Sequence, residues 1–259
     1  DSGLVIYGKF CVDSDNNLYI LDLGGDCIQK KSSGGNFILR SDDIGLKNSY
    51  PIGDSYAINI GPNGYIYFTQ DTGTEGSPAY CINKINPNTL AIENVLNFTA
   101  GEIYYGFAVD SDGGIYIHNN SDKTIENWNF EDGFFKSSPT LTYNYGNSEL
   151  AIAGNYICGI GFVGTGEPVT YNSEAFIIKK DLSSVETSMD LSEIGISTKT
   201  YISSIGVDFL ICGINNLSQV VFGRYYIDIV GENITITEIW SNLIDIDSYT
   251  DCIIGAYPF

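Results

Sequence analysis

Two stretches of nearly the same sequence decide the fold: FCVDSDNNLYI at residues 10–20 and FAVDSDGGIYI at residues 107–117. In both, a short apolar segment leads into a polar Asp-Ser-Asp turn, and an aromatic-rich segment follows. A looser third copy, AINIGPNGYIY, occupies residues 57–67. Short apolar segments joined by Asp, Asn and Gly are typical of β-hairpins. The sequence therefore predicts a fold built from repeated hairpins.

Two more repeats set the period of this pattern. CIQK at residues 27–30 returns as CINK at 81–84, and ICGI at 157–160 returns at 211–214, so the members of each pair are 54 residues apart. Overlaying all copies predicts five modules of about four strands each, beginning near Lys9, Tyr56, Tyr105, Leu150 and Ile202. A single four-stranded sheet cannot bury both of its faces, so such modules stack around an axis. We expect one all-β domain over residues 1–259, a single β-propeller with five four-stranded blades, rather than an irregular sandwich.

The two ends of the chain leave the blade count open. LVIY at residues 4–7 and CIIGA at residues 252–256 both have the composition of strands, yet neither belongs to a complete module. Segments 1–8 and 251–259 could pair within a terminal blade and close a five-bladed ring. The alternative is a sixth, composite blade built from both ends.

The module at the start of the chain resembles a known repeat. Residues Phe10 to Phe37, with Cys11 to Asp15, Leu18 to Asp22 and Cys27 to Lys31, are similar to an NHL-type propeller repeat, and residues 107–134 resemble it less fully. The resemblance implies the propeller fold. It leaves function open, since propellers of this kind include scaffolds, ligand binders and a few hydrolases or lyases.

Charge and composition exclude several functions. The chain has 12 Lys and Arg against 32 Asp and Glu, a net charge of −20. Nucleic-acid binding needs clustered cations, so we expect no nucleic-acid partner, and anionic membrane surfaces are disfavoured. No apolar run is long enough to insert into a membrane. The single histidine, His118, excludes a multi-histidine metal centre.

The chain begins at Asp1, without Met or a targeting segment. A removed export signal or a cloned fragment would each explain this start. We expect a secreted or cell-surface protein, and the sequence does not determine its oligomeric state.

Three motifs resemble chemical sites and are interpreted as structural. Residues 159–164 match G-x-G-x-x-G, but the loop-like segment TGEP follows instead of a helix, so we expect a glycine-rich strand. The Asp13 and Asp110 turns invite a calcium interpretation, yet they lack the sixth-position Gly and the closing Glu of a calcium loop. They fit tight turns better. His118 is expected at a loop edge, where catalysis is an alternative to a hydrogen-bonding role.

The six cysteines are expected to act mainly as small buried apolar residues. In the predicted register only Cys11 and Cys252 could approach one another. Neither spacing nor partners indicate zinc or a catalytic thiol.

The NHL-type resemblance implies that ligands meet the rim formed by the connections between blades and by the loops between second and third strands, here called the connection rim. Its candidate binding residues are acids and tyrosines that precede or begin the first strands: Tyr56, Glu102, Tyr104, Tyr105, Glu149, Tyr201 and Tyr249. Aromatic rings beside carboxylates suit a carbohydrate, a basic protein partner or a cation. The tyrosines could equally be wedges that pack blade against blade.

Two functions follow from this interpretation. The first is a non-enzymatic extracellular or surface propeller, a binding or scaffold protein that recognises a protein or glycan through the acidic, Tyr-rich connection rim. The alternative is a calcium-dependent hydrolase or lyase whose Ca²⁺ is held by rim or channel carboxylates. No catalytic residue, metal ligand or firm cofactor is assigned.

Overall fold

The computed structural model describes residues 9–22, 24–45, 57–61, 64–73, 79–142, 146–165, 170–183, 187–205, 208–215, 217, 219–230 and 233–244. Within these ranges, twenty strands form five four-stranded sheets, and the strands of each sheet lie in chain order. The prediction of an all-β chain with five four-stranded blades is confirmed. The same ranges contain no helix that could span a membrane. Segments 1–8 and 251–259, expected to close the ring, lie outside them.

The chain divides into two compact units, Asp1–Ser121 with Glu126–Phe135 and Asp122–Ile125 with Lys136–Phe259. The first three sheets lie mainly in the first unit and the last two in the second. Sheets one to three are built from strands of three to six residues: β1 Phe10–Val12, β2 Leu18–Asp22, β3 Cys27–Lys31, β4 Phe37–Arg40, β5 Ile58–Ile60, β6 Ile66–Asp71, β7 Tyr80–Ile85, β8 Ile92–Asn97, β9 Tyr104–Val109, β10 Ile115–Asn119, β11 Thr124–Asn129 and β12 Gly133–Ser137.

An aspartate organises the first turn of sheets one and three. Asp13 Oδ1 accepts hydrogen bonds from the backbone N–H groups of Asp15 (3.0 Å) and Asn17 (2.8 Å). Asp110 Oδ1 does the same for Asp112 (2.9 Å) and Gly114 (2.7 Å). These carboxylates therefore replace the backbone partners that a tight turn lacks, and they fix the hairpin register.

The likeness between sheets one and three extends beyond that turn. Ser41 Oγ accepts the N–H of Ile28 at 2.9 Å, and Ser138 Oγ accepts the N–H of Ile125 at 2.9 Å. All four residues keep the spacing of the two Phe-x-Val-Asp copies. The same local hydrogen bonds therefore end both sheets after their outermost strand.

The second unit uses much longer strands. Its two sheets contain β13 Gly146–Ala153, β14 Tyr156–Thr165, β15 Thr170–Lys179, β16 Thr187–Asp190, β17 Thr198–Ile205, β18 Asp208–Ile214, β19 Val220–Val230 and β20 Asn233–Ile244. A short 3-10 helix, Leu191–Ile194, follows β16 and is capped by the Asp190 side chain. The G-x-G-x-x-G segment lies inside β14, as its interpretation as a strand predicts.

Glycine permits close packing within the fourth sheet. Gly159 in β14 is paired with Phe176 in β15, and a Cβ added at Gly159 would lie 2.0 Å from the Phe176 ring. Phe176 is completely buried. The ring therefore occupies the space that any side chain at position 159 would need.

Outermost strands in the first unit expose apolar side chains. Phe37 is 62% exposed and Phe135 is 71% exposed, and Ile38, Ile92, Val95 and Phe134 are also exposed. Buried aliphatic and aromatic residues fill the space between the inner strands of neighbouring sheets, including Tyr19, Ile28, Ile66 and Phe68 in one cluster. In this unit the core therefore lies toward the inner strands, and the fourth strand of each of its sheets has mostly exposed side chains.

The five cysteines that the structure describes are free thiols, and four of them are buried. Burial raises the pKa of Cys81 to about 11, so its thiol stays protonated at neutral pH. Cys252, the partner considered for Cys11, lies outside the described residues.

Candidate functional site

The candidate rim residues that the structure describes fall in three places. Glu102 precedes β9, and Tyr104 and Tyr105 are its first two residues. Glu149 lies in β13 and is half-buried, and Tyr201 lies in β17, opposite Cys212 of β18. Tyr56 and Tyr249 lie outside the described residues. Of the candidates in the first unit, the structure brings Glu102 and Tyr104 into direct contact.

Glu102 and Tyr104 belong to a connected group of polar side chains, here called the Glu102 cluster: Glu102, Tyr104, Asn119, Glu126 and Trp128. Tyr104 Oη donates to Glu102 Oε2 at 2.8 Å. The Asn119 amide Nδ2 donates to both carboxylates, to Glu102 Oε2 at 2.5 Å and to Glu126 Oε1 at 2.8 Å. The Trp128 indole Nε1 donates to Glu126 Oε2 at 2.7 Å. Neutral donors therefore hold two carboxylates side by side.

Burial makes this arrangement unusual. Asn119 is fully buried, Glu126 is 6% exposed and Tyr104 is 1% exposed, whereas Glu102 is half-buried. Carboxylate oxygens of Glu102 and Glu126 lie within 4.8 Å of one another. Two negative charges at this separation repel each other, and hydrogen bonds offset part of that repulsion. Burial, followed by the hydrogen bond to Glu102, raises the pKa of Tyr104 far above its ordinary value, so its phenol stays protonated.

Equivalent positions in the first two sheets carry a weaker version of the cluster. Gln29 Nε2 donates to Asp22 Oδ2 at 2.6 Å in sheet one, and Asn83 Nδ2 donates to Gln70 Oε1 at 3.0 Å in sheet two. In every case the second-strand residue pairs with a side chain on the third strand. Of these three sheets, only the third adds a further carboxylate, that of Glu102, to the pair formed by Asn119 and Glu126.

Aromatic rings surround the cluster on its apolar side. The Tyr104 ring lies 4.8 Å from the Phe98 ring and 6.1 Å from the Tyr80 ring, between centroids. Phe98 in turn contacts Trp128 edge-on at 4.9 Å. Tyr104 therefore packs between strands of adjacent sheets, in the position expected of a wedge.

Tyr105 and His118 form a second, smaller contact. Their rings lie 6.0 Å apart, and Tyr105 is half-buried. His118 does not lie at a loop edge as the sequence predicted, because β10 continues to Asn119 and the histidine is fully buried. Burial lowers the pKa of His118 to about 3, so the imidazole is neutral at physiological pH. A buried, neutral imidazole fits a packing role.

The Asp13 turn has the geometry of a structural turn. Asp13 Oδ2 accepts hydrogen bonds from Asn17 Nδ2 at 2.9 Å and from the Tyr19 hydroxyl at 3.0 Å, while Oδ1 accepts two backbone N–H groups. Both oxygens are occupied by the protein's own donors. The tight-turn interpretation is the one that these contacts support.

Sequence reasoning missed Asn119, Glu126 and Trp128. They lie on β10 and β11, away from the segment that carries Glu102 and Tyr104. One signal could have found two of them: Asn119 and Glu126 align with Asp22 and Gln29 when the two Phe-x-Val-Asp copies are superposed. The alignment marks a paired position, but only the hydrogen-bonded register shows that the Glu102 carboxylate joins it.

No protein-family model matches this chain, and no curated protein matches it either. Solved structures do. A catalytically inactive variant of virginiamycin B lyase from Staphylococcus aureus, with quinupristin, is 15% identical with a TM-score of 0.52, covering 95% of this chain and 82% of that chain. The PQQ-bound aldose sugar dehydrogenase from Streptomyces coelicolor is 12% identical with a TM-score of 0.55, covering 88% and 80%.

At such low identity the likeness shows the fold alone: this chain has a β-propeller fold. The finer assignment to the NHL type rests on the sequence motifs and stays a prediction.

Proposed function

We propose that this chain is a non-enzymatic extracellular or cell-surface propeller that binds a protein or glycan through the connection rim, with Glu102 as a central contact. The observation that carries the proposal is the half-buried Glu102 carboxylate, held by Tyr104 and Asn119 beside a second carboxylate. An acceptor whose orientation is already fixed loses less entropy when a partner binds. Such a group is suited to recognition.

Electrostatics favour a cationic protein segment as the partner. A Lys or Arg side chain that reaches Glu102 would relieve its repulsion with Glu126, because it adds a positive charge near both carboxylates. The net charge of −20 would also attract a cationic partner over long distances and so raise its association rate. A neutral glycan would gain from the acceptor oxygens but not from the charge.

The tyrosines divide between two roles. Tyr104 is 1% exposed and packs among aromatic rings, so its ring cannot form part of a contact surface. Tyr105 is half-buried. It is the next residue of the same strand, so its side chain is on the other face. We therefore assign the contact in the first unit to Glu102 and Tyr105, and assign packing to Tyr104.

The test is a titration with a lysine-rich peptide, measured by calorimetry at low and at physiological salt. Glu102→Gln should weaken binding severalfold, and the loss should shrink as salt screens the charge. Glu131→Gln is the matched control: it removes the same charge from an exposed acid beyond the far end of β11. Equal affinity of the Glu102 variant and the parent protein would contradict the proposal. Salt-independent binding of a neutral glycan would replace the cationic partner with a carbohydrate.

A calcium-dependent hydrolase or lyase is the second candidate, and the proximity of Glu102 and Glu126 favours it. Ca²⁺ takes roughly six to eight oxygen ligands, however, and three of the four oxygens of these carboxylates would have to be shared with existing donors. Thermal unfolding with calcium and with a chelator separates the candidates. An ion that completes the folded state should raise the melting temperature by several degrees, and no shift would exclude the metal-dependent version.

A further inference from the structure

A continuous line of aromatic rings runs from the surface into the core of the first unit. Phe134 is 49% exposed, and its ring meets Trp128 edge-on at 5.4 Å. Trp128 meets Phe98 at 4.9 Å, and Phe98 meets Tyr104 at 4.8 Å. Trp128 is 8% exposed, whereas Tyr104 is 1% exposed. One end of the line is therefore reached from solvent and the other is not.

The two rings in this line that can be oxidised each have their own carboxylate. The Trp128 indole N–H donates to Glu126 at 2.7 Å, and the Tyr104 hydroxyl donates to Glu102 at 2.8 Å. Both distances are within the range for proton transfer between positioned groups. Loss of an electron makes an indole or a phenol a much stronger acid than the neutral ring, so a ring with an adjacent base is oxidised more readily than one without. A buried N–H or O–H needs an acceptor in any core, and a carboxylate is an acceptor that can also take up the proton.

We propose that Trp128 and Tyr104 form a proton-coupled electron-transfer pair, which carries one-electron oxidation from the protein surface to Tyr104. The agents that would start it are one-electron oxidants, such as small radicals arriving from solvent. Phe98 contacts both rings and links them without being oxidised itself.

The transfer balances in two steps. First, the oxidant takes one electron from the Trp128 indole, and the Nε1 proton moves to Glu126 Oε2. Second, one electron passes from Tyr104 to Trp128, the phenol proton moves to Glu102 Oε2, and the proton on Glu126 returns to the indole. The net change is that Tyr104 has lost one electron and one proton, the oxidant has gained the electron, and Glu102 carries the proton.

The final position of the radical is Tyr104. A tyrosyl radical is more stable than a tryptophanyl radical at neutral pH, so the second step runs inward. Tyr104 is enclosed by Phe98 and Tyr80 and is almost inaccessible to solvent. The radical formed there is therefore kept from other molecules.

Pulse radiolysis with the azide radical tests the proposal, because this radical oxidises indoles in preference to phenols. The chain has two tryptophans, so Trp240→Phe leaves Trp128 as the single point of entry. In this background the absorbance of the indole radical should decay as that of the phenoxyl radical rises. The rate should be first-order and independent of protein concentration, as an intramolecular transfer requires.

Three variants in the same background identify the path. Tyr104→Phe should abolish the intramolecular rise of phenoxyl absorbance, and Glu102→Gln should slow it severalfold. Tyr226→Phe is the matched control, since it removes a hydroxyl from an exposed tyrosine outside this line of rings and should change nothing. An unchanged phenoxyl yield in Tyr104→Phe, or a decay that depends on protein concentration, would overturn the proposal. Should Tyr104→Phe fail to fold, Phe98→Leu keeps both oxidisable rings, and an unchanged transfer rate there overturns the proposal equally.

Discussion

The first three sheets and the last two reach the same four-stranded architecture by different means. Strands in the first three are three to six residues long, and in sheets one and three an aspartate fixes the first turn. In the last two sheets, strands reach ten to twelve residues, and side-chain packing such as Phe176 over Gly159 accompanies the pairing. Short hairpins thus depend on their turns, whereas long hairpins depend on the fit between their faces.

The difference teaches where each region is vulnerable. In a short hairpin, few ladder hydrogen bonds compete with the chain entropy, so turn contacts are a large part of the total. In a long hairpin the ladder is extensive, and a substitution matters mainly when it disturbs packing or an enclosed charge. Changes in each region should therefore have different consequences.

The largest loss should come from Gly159→Ala in the second unit. The new Cβ would overlap the buried Phe176 ring, so the ring or the strand must move. We expect a loss of about 2–3 kcal/mol in the free energy of unfolding, measured by urea denaturation. Gly34→Ala is the control, because its nearest neighbour would lie 3.6 Å away in open turn surroundings. Equal losses at the two sites would contradict the packing argument.

The second largest loss of stability should come from breaking a partly buried ion pair. Arg224 donates from Nε to Asp208 Oδ2 at 2.7 Å, and Asp208 is 5% exposed. Asp208→Asn removes the charge that this guanidinium faces and should cost about 2 kcal/mol, since one partner is enclosed and the other is partly in solvent. The exposed pair of Arg40 and Asp43, 3.9 Å apart, offers the comparison. Asp43→Asn should cost less than about 0.5 kcal/mol, and chemical denaturation measures both.

Replacing the turn aspartate tests the first region. Asp110→Ala leaves the N–H groups of Asp112 and Gly114 without their acceptor, and the expected loss is about 1–2 kcal/mol, similar to losing a helix cap. Asp112→Ala, an exposed site in the same turn, should stay within about 0.5 kcal/mol of the parent protein. If thermal unfolding showed no difference between these two variants, the turn would not be what fixes the hairpin.

The smallest effect concerns pH. Burial raises the pKa of Asp13, but hydrogen bonds from Asn17, Tyr19 and Asp15 outweigh it, so the pKa lies below the ordinary value of 3.8. Because the folded-state pKa is depressed, the stabilisation is fully present above pH 3.8 and is lost as the pH falls through the folded-state value. Asp13→Asn should therefore lower the free energy of unfolding at pH 7, and the difference from the parent protein should become smaller in acid. If the difference in the free energy of unfolding were the same at pH 7 and pH 3, the charge of Asp13 would not be involved.

Much of the fold could be predicted because each hairpin turn is determined by residues that are close together in the sequence. The two Phe-x-Val-Asp copies gave the correct strand–turn–strand pattern, since one aspartate satisfies the turn in each. The starts of the last two modules were predicted less accurately. The first strands of sheets four and five begin at Gly146 and Thr198, four residues before the predicted Leu150 and Ile202. Register shifts interrupt the pairing of both strands, so their early residues do not show simple alternation.

The Glu102 cluster could be predicted only where it is continuous in sequence. Glu102, Tyr104 and Tyr105 are neighbours in the chain, and their position before and within a first strand was visible. Asn119 and Glu126 come from separate strands, and their shared hydrogen bonds depend on how three strands align. The burial of His118 was missed for a similar reason, because nothing local shows that β10 runs two residues beyond Ile117.

The apolar outer strands also have a consequence for how the protein behaves in concentrated solution. An edge strand offers its backbone to a strand from another molecule, and exposed phenylalanines such as Phe37 and Phe135 would add to that attraction. At neutral pH the charge of −20 keeps copies apart. Near the isoelectric point of about 4.1 the repulsion disappears, so solubility should fall sharply there even while the fold persists. The acidity that we propose to favour a cationic partner also protects the molecule against aggregation.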